Sequence, residues 1–64
     1  MVKINGNELD VSGKTIAQYL SETNYSISRI AVERNGEIVP KSQYDAVVLE
    51  DGDTIEIVSF VWGG

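Results

Sequence analysis

Apolar and polar residues alternate at the start of the chain. Val2 and Ile4, then Leu9 and Val11, each skip one position, on either side of Asn5-Gly6-Asn7. A period of two marks a half-buried strand, and Asn-Gly supplies the two positive-φ positions of a type I′ turn. The pattern predicts an N-terminal β-hairpin with Val2, Ile4, Leu9 and Val11 facing inward. After Ser12-Gly13-Lys14 the spacing changes, and Ile16, Ala17, Tyr19 and Leu20 fall on one side of a helix. Thr15 and Gln18 stand three apart, as in a capping box, where each side chain satisfies an orphan backbone N–H. This predicts a helix from Ile16 to Glu22 or Thr23, stopped by Asn24. So short a helix is marginal alone and must lie across a sheet.

Tyr25-Ser26-Ile27-Ser28 reads as a connector with Ile27 buried. Ile30 to Arg34 is a third strand, and a second Asn-Gly turn at Asn35-Gly36 leads into a short strand, Glu37-Ile38-Val39. Pro40 ends it, because proline cannot donate to a ladder. Lys41 to Tyr44 looks like a helical turn, and Ala46 to Leu49 like a loop or short strand. Asp51-Gly52 is a turn signal, since glycine takes positive φ without a clash. The last strand is expected from Thr54 to Val61. A hairpin, one helix and two or three further strands make an α+β domain over residues 1–64. Its mixed sheet of four or five strands carries the helix on one face.

Side chains alternate along that last strand. Ile55 and Ile57 face one way, under the helix. Val58, Phe60 and Trp62 share the other side and would form an apolar stripe on the open face of the sheet. Aromatic stripes of this kind dominate interaction hot spots, so the three are expected to bind a partner. After Trp62 only Gly63 and Gly64 remain. At background usage, two terminal glycines arise by chance in about one chain in two hundred. Glycines pass through a channel too narrow for a Cβ, so residues 61–64 read as a flexible tail that offers the Gly64 carboxylate to another protein's active site.

Composition removes several alternatives. The chain has 64 residues, 42% of them hydrophobic, so one small core is attainable, and it contains neither cysteine nor histidine. Disulfides, His/Cys metal centres, the usual catalytic triads and thiol nucleophiles are therefore ruled out. No apolar run is long enough for a transmembrane helix, and no secretory signal is present, which places the expected location in the cytoplasm. The net charge of −5 disfavours nucleic acid and acidic membrane surfaces, and suits solubility or steering toward a basic partner. Gly13-Lys14-Thr15 lacks the P-loop's earlier glycine, Glu8 standing there instead. Asp51-Gly52-Asp53 fails as a calcium loop, with Glu56 and Trp62 where glycine and glutamate are required. A domain this small has little room for a pocket of about 300 Å³. The expectation is a non-enzyme with no bound metal or cofactor, monomeric when free.

Met1-Val2-Lys3-Ile4-Asn5-Gly6, Asn35-Gly36-Glu37-Ile38-Val39-Pro40-Lys41, Leu49-Glu50-Asp51-Gly52-Asp53-Thr54-Ile55-Glu56-Ile57 and the final Gly63-Gly64 together resemble the sulfur carrier proteins of thiamine biosynthesis. These are small members of the ubiquitin-like β-grasp group. The resemblance implies that the first and last strands run parallel and adjacent in the middle of the sheet. It implies that Gly64 is adenylylated with ATP by an E1-like adenylyltransferase and converted to a thiocarboxylate. The sulfur, drawn from a donor such as a cysteine desulfurase, passes to thiazole synthase. Phe60 matches the family's docking region, whereas Trp62 departs from the small residue common before the glycine pair. Related alternatives are a molybdopterin synthase small subunit and a ubiquitin-like protein modifier.

Overall fold

A computed structural model describes residues 1–60. Five strands form one sheet: β1 (Val2–Ile4), β2 (Asn7–Leu9), β3 (Ile30–Arg34), β4 (Glu37–Val39) and β5 (Thr54–Ser59), with a single helix α1 (Ile16–Ser21). The spatial order is β2-β1-β5-β3-β4. The two hairpins are antiparallel, and β1 lies parallel to β5, with Lys3 opposite Thr54 and Ile4 opposite Ile55. The sheet is therefore mixed, with the last strand at its centre, as the resemblance implied. Both Asn-Gly turns take the expected backbone, Asn5 at φ 49° and Asn35 at φ 53°, a region open to asparagine and closed to most side chains.

The core lies between the sheet and α1. Val2, Ile4, Ile30, Val32, Ile55 and Ile57 come from the strands, and Ile16 and Leu20 from the helix. The capping box at the helix start is formed, Thr15 Oγ1 accepting from the Gln18 N–H at 3.0 Å and Gln18 Oε1 from the Thr15 N–H at 2.8 Å. The next two N–H groups, of Ile16 and Ala17, donate to the carbonyls of Val47 and Tyr44. The segment between β4 and β5 thus caps the helix while burying Tyr44 and Leu49 beneath it. That explains why Ala46 to Leu49, although apolar, is no strand. Its backbone serves the helix end, and Val48 adds one isolated bridge to Thr15.

Four expectations shift, the first being the last strand, which stops at Ser59 and does not take in Phe60. Strand β2 stops at Leu9, because Leu9 already faces Val2 and little of β1 remains to pair; Val11 packs against the core from outside the strand. The helix ends at Ser21. Ile27 is exposed, at 44%, in a 3₁₀ turn over Ile27–Arg29. A surface connector keeps its backbone polar groups near water, and Ile30 fills the core position in its place.

Candidate functional site

Strand β5 carries the candidate site, and both neighbours grip it. On the helix side Ile55 and Ile57 are buried, and on the open face Thr54, Glu56 and Val58 alternate with them. Antiparallel pairing with β3 runs through five residue pairs, from Arg34↔Ile55 to Ile30↔Ser59. The Phe60 N–H extends it by donating to the Arg29 carbonyl at 2.7 Å. On the other side, β1 ends at Ile4, and the side chain of Asn5 continues its pairing by binding the backbone of Ile57. The turn asparagine therefore acts as one more strand residue.

The base of β5 is fixed by a polar cluster around Asp53, the buried acid of the structure at 7% exposure. Its Oδ2 accepts from Arg34 Nε at 2.9 Å and from the Glu50 N–H at 3.0 Å, and its Oδ1 from Asn35 Nδ2 at 3.0 Å. Asn35 Oδ1 in turn accepts from the Thr54 N–H. Burial alone would push the Asp53 carboxyl up. The Glu50 N–H, the Asn35 amide and the Arg34 guanidinium outweigh it and hold the group below the ordinary carboxylate value. The same contact with Asp53 raises Arg34, which also reaches Glu50. This cluster ties the β3–β4 turn to the start of β5.

Of the expected docking residues, Val58 and Phe60 are both exposed, at 50% and 40%. Val58 lies opposite Ala31 on β3 and shares the open face with it. Ile38 of β4, 64% exposed, joins them through its pairing with Glu33. Ile38 was not foreseen, because only the β3–β4–β5 register reveals which of its neighbours share that face. The remaining expected residues, Val61, Trp62, Gly63 and Gly64, lie outside those described.

A surface groove of about 330 Å³ runs along β4, bounded by Ile38, Pro40, Gln43 and Val47. It exceeds what so short a chain was expected to hold. Its size comes from the step between the sheet edge and the capping segment. The charged groups at its rim are Arg34 and Glu37, and Arg34 is committed to Asp53 and Glu50. Among the described residues no three acidic groups converge to hold a metal ion, and no helix is long and apolar enough to cross a membrane.

The model of the ThiS family matches residues 2–64, nearly the whole chain and through its final glycines. The chain belongs to the ThiS family. A sulfur carrier protein ThiS from Bacillus subtilis is 43% identical over the full length of both chains. A crystal structure of a thiamine biosynthesis protein (ThiS) from Geobacter metallireducens superimposes with a TM-score of 0.77 at 28% identity, covering 98% of this chain and 97% of that one. The ubiquitin-like β-grasp fold is thus that of the ThiS family. A thiazole synthase from Paramagnetospirillum magneticum is 48% identical over 95% of this chain. The chain spans 19% of that protein's length, and 20% of a second thiazole synthase, from Magnetococcus marinus.

Proposed function

We propose that this ThiS-family chain carries sulfur for thiazole formation in thiamine biosynthesis, on the carboxyl group of Gly64. The observation that carries the reading is the family match running through Gly63-Gly64, on a fold whose central strand leads in sequence directly to those glycines. A carboxylate is a poor electrophile and needs a leaving group. An E1-like adenylyltransferase supplies it: a Gly64 carboxylate oxygen attacks the α-phosphorus of ATP, and pyrophosphate departs. A sulfur nucleophile at the oxidation level of sulfide then attacks the carbonyl carbon. A cysteine desulfurase with a reducing thiol can generate it. The carbon–sulfur bond forms, the carbon–oxygen bond to AMP breaks, and AMP leaves with the electron pair. The thiocarboxylate product is a sulfur donor for thiazole synthase.

Within this scheme the chain is a substrate of its partners rather than an enzyme. Val58 on the open face, the exposed Phe60 and, two positions on in sequence, Trp62 dock the partner. Gly63 lets the carbonyl pass where a side chain would block. The two thiazole synthases that include a segment similar to this chain support thiazole synthase as the recipient. ATP–pyrophosphate exchange with the E1-like enzyme of the same organism tests the reading. Exchange that depends on this chain and disappears when Gly64 is deleted is the expected result. Exchange that survives the deletion would overturn it.

A further inference from the structure

The open face of the sheet carries two exposed aliphatics, Val58 of β5 and Ile38 of β4, and beside them two carboxylates. Glu33 and Glu56 are directly opposed on β3 and β5. Such pairs place their Cβ atoms about 5 Å apart, and like charges there destabilise the sheet. One strand over, the cross-strand partner of Glu8 is Lys3, an opposite-charge pairing on the same face. Glu33 and Glu56 have no such relief: among the described residues neither forms an ion pair. Around them stand Val58, Ala31 and the exposed Ile38. A face built to stay empty would not oppose two acids between exposed aliphatics.

We infer that this face seats a basic protein surface, an arginine or lysine entering between Glu33 and Glu56 while apolar neighbours cover Val58 and Ile38. A second copy of this chain does not fit, since it would bring a net charge of −5 against −5. A cation placed between two carboxylates removes their repulsion and desolvates together with the aliphatic collar, so attraction and apolar contact act at one spot. Charge complementarity makes the occupant a basic surface. Gly64 follows β5 closely in sequence, which makes the occupant the protein that acts on the chain terminus. In this last respect the inference rests on the proposed function, with the E1-like adenylyltransferase as the partner.

The test uses Glu33→Gln, Glu56→Gln and, as a control of equal charge change, Asp45→Asn, which lies exposed on the capping segment. Thermal unfolding comes first and needs no partner. Relief of the repulsion raises the melting temperature of each glutamine variant by about 2–4 °C. Exchange kinetics with the adenylyltransferase come second. Each glutamine variant raises KM for the carrier about ten-fold with kcat unchanged, because docking and not the reacting carboxyl is altered. The dependence of KM on ionic strength also flattens. Asp45→Asn moves none of these. Stability gained while docking is lost is the signature that a purely structural role cannot give. Unchanged melting temperatures, or a KM equal to that of the parent chain, would overturn the inference while leaving the proposed function intact. If the parent chain itself supports no exchange, the proposed function falls, and the identity of the occupant with it.

Discussion

The side chain of Asn5 is paired with the backbone of Ile57: its Oδ1 accepts from the Ile57 N–H at 2.7 Å, and its Nδ2 donates to the Ile57 carbonyl at 3.1 Å. A turn residue chosen for its positive φ thus also holds β5, the strand that precedes the terminal glycines in sequence. The two roles separate by mutation. Asn5→Gly keeps the turn backbone but loses both bonds to Ile57 and the longer one from Nδ2 to the Tyr25 hydroxyl at 3.3 Å, and should cost about 1–2 kcal/mol. Asn5→Ala loses the bonds and keeps a Cβ in the left-handed region without the polar side chain that lets asparagine settle there, adding about 1 kcal/mol more. Urea unfolding of both variants checks this. Equal losses would mean that backbone strain plays no part.

Asp53 makes stability depend on acid. Its carboxyl is held below the ordinary value by the Glu50 N–H, Asn35 and Arg34 against the opposing effect of burial. The stabilisation is therefore complete above the unfolded value of about 3.9 and is lost as the pH falls through the lower, folded value. Asp53→Asn should cost about 1–3 kcal/mol near neutral pH, because Arg34 loses its partly buried counter-ion. The gap between the two proteins should close in acid. A gap independent of pH, measured by urea midpoints from neutrality down to below pH about 3, would remove the ionised carboxylate from the account.

In the proposed function Val58 serves docking and not folding. Half of its surface is already open. Val58→Ser should therefore shift stability by less than about 0.5 kcal/mol. It should weaken capture by the activating enzyme about ten-fold, the scale of an apolar contact near an interface centre. Calorimetric melting beside the KM of exchange decides the matter. A melting loss as large as that of a core truncation such as Ile55→Ala, about 2–5 kcal/mol, would place Val58 in the core instead.

Much of this architecture is legible in local signals. Asn5-Gly6 and Asn35-Gly36 turn where expected, Thr15 and Gln18 cap the helix, and Ile55 and Ile57 point opposite to Val58. What local pattern does not reveal depends on partners far along the chain. Asn5 meets Ile57 across 52 positions, and Arg34 meets Asp53 across 19. An Asp-Gly-Asp turn looks the same whether its second acid is solvated or buried. Glu33 and Glu56 become neighbours only when β5 is inserted beside β3. The central place of β5 came from the family resemblance, since several sheet orders satisfy the same alternation. Ile27 was misplaced because an apolar residue in a connector carries no periodicity to show which way it faces.

In the proposed function the docking face, the Asn5 and Asp53 grips and the glycine terminus serve one chemical event at the carboxyl carbon of Gly64. Among the described residues every core residue lies between Val2 and Ile57. In the proposed function the terminus stands apart from that core, so deleting Gly64 should leave the melting temperature unchanged. Intact-protein mass spectrometry after incubation with ATP, the E1-like enzyme and a sulfide-level sulfur donor reads the event directly. The account predicts a species heavier by the difference between one sulfur and one oxygen, located on Gly64 and absent from the chain that lacks it. An unchanged mass with a demonstrably active enzyme and donor, or the same gain in the truncated chain, would contradict it.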